Sequence, residues 1–78
     1  MNSLEDELKA LSAEIEAGPE NADAYFRRGR ILWKMERFGA AISDYETAAS
    51  IDPDSPAVQA LEIAREIMDF YHKDRYNP

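Results

Sequence analysis

Leu4, Leu8, Leu11 and Ile15 recur at steps of four, three and four, the spacing that gathers apolar side chains on one face of a helix. Ser3 stands where a cap belongs, with Asp6 three residues on, and Glu5, Asp6 and Glu7 suit the positive end of a helix dipole. The pattern predicts a helix over 3–17, stopped by Gly18-Pro19. A second helical pattern runs from about Ala22 to Met35, capped by Asn21. It sets Tyr25, Gly29, Leu32 and Glu36 on one side, with Ala24, Arg28, Ile31 and Met35 beside them; Asp23, Arg27, Arg30, Lys34 and Arg37 share the other. After a break at Glu36–Gly39, Ala41, Ile42, Tyr45, Ala48 and Ala49 give a third apolar stripe to Ser50, with Ser43, Asp44, Glu46 and Thr47 off it.

Asp52-Pro53-Asp54-Ser55-Pro56 then interrupts the chain, and Ser55 with Pro56 is a suitable start for a fourth helix, over 56–72, followed by a tail at 73–78. At 100° per residue, Gln59, Glu62, Glu66, Asp69 and Lys73 form one polar stripe. Ala57, Ala60, Leu61, Ile63, Ala64, Ile67, Met68, Phe70 and Tyr71 cover about half the circumference, wide for a helix that covers one neighbour. No segment alternates with period two. The expected fold is a single all-α domain of about four antiparallel helices.

At 78 residues, with 45% apolar and 32% charged side chains, the chain has room for one small core and none for separate substrate and cofactor domains. Cysteine is absent, which excludes disulfides, Cys-ligated zinc and a thiol nucleophile. The longest run free of polar side chains is Phe38 to Ile42 and the N-terminus is acidic, so neither a membrane span nor a signal peptide is read, and a cytoplasmic protein is expected. The net charge of −7 is unevenly spread: residues 1–24 carry −6, residues 25–38 carry +4 and residues 39–78 carry −5. The basic block is either a helix whose charges are matched by acidic neighbours or a local surface for an acidic partner.

Tyr25, Arg28, Gly29, Leu32, Ala41, Tyr45, Ala48 and Pro53 fall at the spacings of the 34-residue helical hairpin, and residues 22–55 resemble one tetratricopeptide repeat. Gly29, Ala41, Ala48 and Pro53 are identities; Tyr25 and Tyr45 are aromatic replacements. Arg28 departs, since a large apolar residue is usual there, and weaker packing on the preceding helix is expected unless its stem lies along apolar surface. Pro19 lies one period of 34 before Pro53, so residues 3–17 look like the second helix of an incomplete repeat. Residues 56–72 look like the capping helix that such arrays need. The run from Ile67 through Phe70, Tyr71, Lys73, Asp74 and Tyr76 to Pro78 is similar to the tail of some small bacterial members.

The resemblance implies a short right-handed helical stack and a non-enzymatic module that binds a peptide or protein, with no cofactor, through the concave side of the hairpin's first helix. That side would present Asp23, Phe26, Arg30, Trp33 and Lys34. Phe26, Arg30 and Trp33 form a stripe able to offer apolar area and a guanidinium fork, suited to an acidic peptide. The competing expectation buries Phe26 and Trp33 under the last helix against Ala60, Ala64 and Ile67. Where chaperone-binding members carry a lysine and an asparagine for a carboxylate clamp, Phe26 and Arg30 stand here, which argues against that mechanism.

Catalysis has little to build on. His72 is the single histidine, and Asp69 with His72 makes two metal ligands without a third. Asp52-Pro53-Asp54-Ser55 lacks the glycine and distal glutamate of a calcium loop, and Gly18, Gly29 and Gly39 are isolated, so no phosphate loop occurs. Single-stranded nucleic acid could use Arg27, Arg28, Arg30, Lys34 and Arg37 interleaved with Phe26 and Trp33, but the acidic flanks repel phosphate. An alternative function is self-association, a two-fold dimer through Ile63, Ile67 and Phe70 of the last helix; a monomer is the favoured state.

Overall fold

The computed structural model describes residues 3–76, with side chains to Tyr71. Asn77 and Pro78, read as the terminal breaker, and the side chains of His72 and of the tail lie outside the described residues. Four helices follow one another: α1 (Leu4–Ala17), α2 (Ala22–Lys34), α3 (Phe38–Ile51) and α4 (Ala57–Tyr76). No strand occurs among the described residues. The protein is all-α, a small tetratricopeptide-like stack in which α1 packs on α2, α2 on α3 and α3 on α4.

The helix starts are written locally. Ser3 accepts a hydrogen bond from the Asp6 amide at 3.1 Å, while the Asp6 carboxylate accepts from the Ser3 amide at 3.4 Å, a full capping box. Asn21 Oδ1 accepts from the Ala24 amide at 3.1 Å and opens α2. The buried Ser55 hydroxyl accepts from the Ala57 amide at 3.0 Å and opens α4, with Pro56 at the turn where a missing N–H costs nothing. α3 has no side-chain cap.

The α2–α3 turn departs from the sequence reading. Gly39 lies inside α3, in open space and without a positive φ; the left-handed residue is Glu36, at φ 62°. The Arg37 amide donates to the Leu32 carbonyl at 2.9 Å and the Glu36 amide to the Trp33 carbonyl at 3.0 Å. These two bonds close α2 as a Schellman motif, with a glutamate where glycine is usual.

A close approach of α2 and α3 centres the core. A Cβ added at Gly29 would lie 2.6 Å from Tyr45 Cε1 and 3.2 Å from the Ala41 carbonyl oxygen, so the ring of Tyr45 rests on the bare backbone of α2. Leu32, Tyr45, Ala41, Ala48, Ala57 and Ala64 form the buried cluster that joins α2, α3 and α4. Four of these six are alanines, and no large side chain among the described residues is fully buried. The helices approach closely, yet the apolar area removed from water is modest.

Only the first half of α4 takes part. Ala57 and Ala64 are buried and Ala60 and Leu61 partly so, but beyond Ala64 only Ile67 and Met68 among the described apolar side chains are substantially covered. α4 runs on to Tyr76, past the stop expected at His72, because no breaker precedes Asn77-Pro78.

Candidate functional site

α2 carries two different exposed edges on one face. Phe26 sits on the α3 side, its ring centroid 6.1 Å from that of Tyr45. Trp33 meets Phe38 edge-on at 4.6 Å and, with Tyr45, lines a small open pocket of about 140 Å³ whose other wall is Ala60, Ile63, Ala64 and Ile67 of α4. Phe26 and Trp33 are both half-buried, so burial under the last helix is only partial and one side of each ring remains on the surface. The Trp33–Phe38 pair was not legible from spacing along the chain, since the turn that brings the two rings together depends on Glu36.

Arg30 lies between the edges. Its guanidinium stands over the Phe26 ring at 5.8 Å, a cation–π contact, and among the described residues it makes no ion pair. Lys34 and Asp23 fall on the other edge. Lys34 borders a shallow depression between α1 and α2, floored by Leu11 and Ile31 and rimmed by Glu7, Glu14, Arg27 and Arg30. Asp23 is tied to Arg27, whose Nε donates to it at 2.8 Å while Nη2 donates to Glu14 at 2.9 Å. These bonds, to Glu14 foremost, hold the Arg27 guanidinium protonated beyond the ordinary arginine range, against a smaller loss from burial.

The structure therefore sorts the expected residues. Trp33 comes together with Ile63 and Ile67, although the sequence offered them as two separate surfaces; Phe26 and Arg30 lie alongside, Phe70 stands further along α4, and Asp23 and Lys34 face α1. The result is a small open groove between Trp33 of α2 and Ile63 and Ile67 of α4, with Phe26 and Arg30 on the same stripe of α2 as Trp33 by their helical spacing. Ile63 is 57% exposed and Phe70 65% exposed, which leaves a continuous apolar strip on the surface.

Of the basic block, Arg27, Arg28 and Arg37 are engaged by acids from other segments: Glu14, Asp44 and, at 3.9 Å, Glu5. Arg30 and Lys34 are left without an ion pair among the described residues, a pattern unlike the open cationic track that a nucleic-acid strand requires. No group of three His, Cys, Asp or Glu able to hold a metal occurs among the described residues, and none of their helices is long and apolar enough to cross a membrane.

Comparison with known proteins gives the groove its context. A family model described as tetratricopeptide repeat matches residues 22–55, the stretch from the start of α2 through α3 to the turn before α4, and this segment is similar to that repeat. The chain is also 29% identical, over 59 residues, to the DnaJ homolog subfamily C member 7 homolog of Dictyostelium discoideum. That alignment covers 76% of this chain and 11% of the relative. No solved structure matches the chain. Tetratricopeptide repeats are generally protein–protein interaction modules.

Proposed function

We propose that this chain is a non-enzymatic protein-interaction module whose groove between α2 and α4 takes a segment of a partner protein. The observation that carries the reading is Arg30: a guanidinium without an ion pair among the described residues, poised over Phe26 and on the same stripe of α2 as Trp33, which lines the apolar pocket with Ile63 and Ile67. Such a site binds a segment that inserts one apolar side chain beside Trp33 and sets a carboxylate against Arg30, apolar contact supplying affinity and the charged fork supplying orientation. Asp23 and Lys34, on the far edge, would meet only a ligand that wraps over α2.

Trp33 is the single tryptophan, so its fluorescence reports occupancy directly. Peptides selected on the intact protein from a random display library are expected to be enriched in an acidic residue near an apolar one, to shift Trp33 emission and to lose affinity for Arg30→Glu. Selected peptides that bind Arg30→Glu and Ile63→Glu as tightly as wild type would place binding elsewhere.

A further inference from the structure

The second half of α4 leaves the stack. Phe70 and Tyr71 are 65% and 59% exposed and Ile67 37% exposed, so the apolar stripe of α4 is progressively uncovered beyond Ile67 as far as the side chains are described. A helix this short is marginal in water unless an apolar face is packed. Its stripe is continuous with the groove, because Ile63 and Ile67 belong to both, and Phe70 follows Ile67 at the next turn. Glu62 and Glu66 border that stripe, and neither has an ion-pair partner among the described residues. Arg30, on the stripe of α2 that carries Trp33, has none among them either.

We propose that, in the absence of another ligand, this groove is occupied by α4 of a second copy, in a two-fold dimer. Each chain lays Phe70 and Ile67 against Phe26 and Trp33 of the other, and Glu66 of each meets Arg30 of the other. The inference rests on the groove being the binding surface, and it names the occupant by charge and shape. The projecting helix carries the apolar stripe with a carboxylate edge that the groove is suited to receive, and a reciprocal exchange of helices closes on itself instead of propagating. Two chains of net charge −7 repel, and the contact answers this by setting an acidic edge against the one basic segment. Self-association and ligand binding are then mutually exclusive.

Sedimentation of the full chain across the micromolar range tests this, with circular dichroism monitoring the fold of each variant. Wild type should pass from monomer to dimer mass with concentration, and Phe70→Glu should remain a monomer. Arg30→Glu and Glu66→Arg should each raise the dissociation constant at least about tenfold, and the two together should restore it, as expected of a close charge pair. Monomer mass throughout would overturn the proposal, and so would a dimer indifferent to both charge reversals. If the monomer still bound the selected peptides at Arg30, the groove reading would stand and only the second copy would be lost.

Discussion

Arg28 of α2 forks the carboxylate of Asp44 on α3, Nε donating to Oδ2 at 2.7 Å and Nη2 to Oδ1 at 2.8 Å. Its remaining nitrogen reaches the Ser12 hydroxyl of α1 at 3.3 Å, and the guanidinium stands over the Tyr25 ring at 5.6 Å. Asp44 is only 5% exposed. The hydrogen bonds that Arg28 donates to Asp44 are the main reason its pKa rises above the ordinary arginine value, against the opposing effect of burial. One ion pair thus joins three helices at the position where an apolar contact was expected.

Removing one partner leaves the other charge half-buried and unpaired. Asp44→Ala is expected to cost about 2–3 kcal/mol, a large share of the stability of so small a core. Arg28→Met combined with Asp44→Leu should recover most of it, since apolar pairs of similar volume often replace buried ion pairs without loss. Urea unfolding of the three variants gives the comparison, and a double variant no more stable than Asp44→Ala would show that the pair has no apolar substitute.

Gly29→Ala should destabilise although alanine is the better helix former. The new methyl must displace the Tyr45 ring or the Ala41 backbone, and overpacking of this kind costs about 1–3 kcal/mol. Gly39→Ala, in open space within α3, should instead stabilise by up to about 1 kcal/mol. Thermal melts of opposite sign are the expected result.

Glu36→Gly should raise stability by about 1 kcal/mol, because a non-glycine residue in the left-handed region carries a cost that glycine does not. An unchanged or lower melting temperature would mean that the gain is offset by the greater freedom of glycine in the unfolded chain.

Stability should fall in alkali partly through Tyr45. Burial raises its phenol pKa, with Arg30 lowering it and Asp44 raising it to smaller degrees. The folded state therefore keeps this proton to higher pH than the unfolded chain, so the contribution is complete below about 10 and is lost as pH climbs above that value. Tyr45→Phe should lose less stability than wild type over this interval, measured as the change in unfolding midpoint.

Arg30→Ala is expected to weaken a groove ligand by more than about 1 kcal/mol while leaving the melting temperature nearly unchanged, because the guanidinium is exposed and unpaired. Lys34→Ala, on the α1 edge, should have the smaller effect. Calorimetric titration with one selected peptide separates the two, and equal losses would show a ligand lying across the whole face of α2.

By itself the sequence determined the helices and the repeat. The stripes of Leu4, Leu8, Leu11 and Ile15 and of Tyr25, Gly29 and Leu32, the caps Ser3, Asn21 and Ser55, and the spacing from Tyr25 to Pro53 are local or periodic features, readable because helix geometry fixes which neighbours share a face. Tertiary structure alone decided what crosses between helices. Asp44 read as a polar residue off the apolar stripe, and only the register of α2 on α3 carries it to Arg28. Trp33 and Ile63 are thirty residues apart, and only the stacking of α4 on α3 makes them one pocket. Contacts of this kind depend on interhelical angle and distance, which side-chain packing sets and no single helical period encodes.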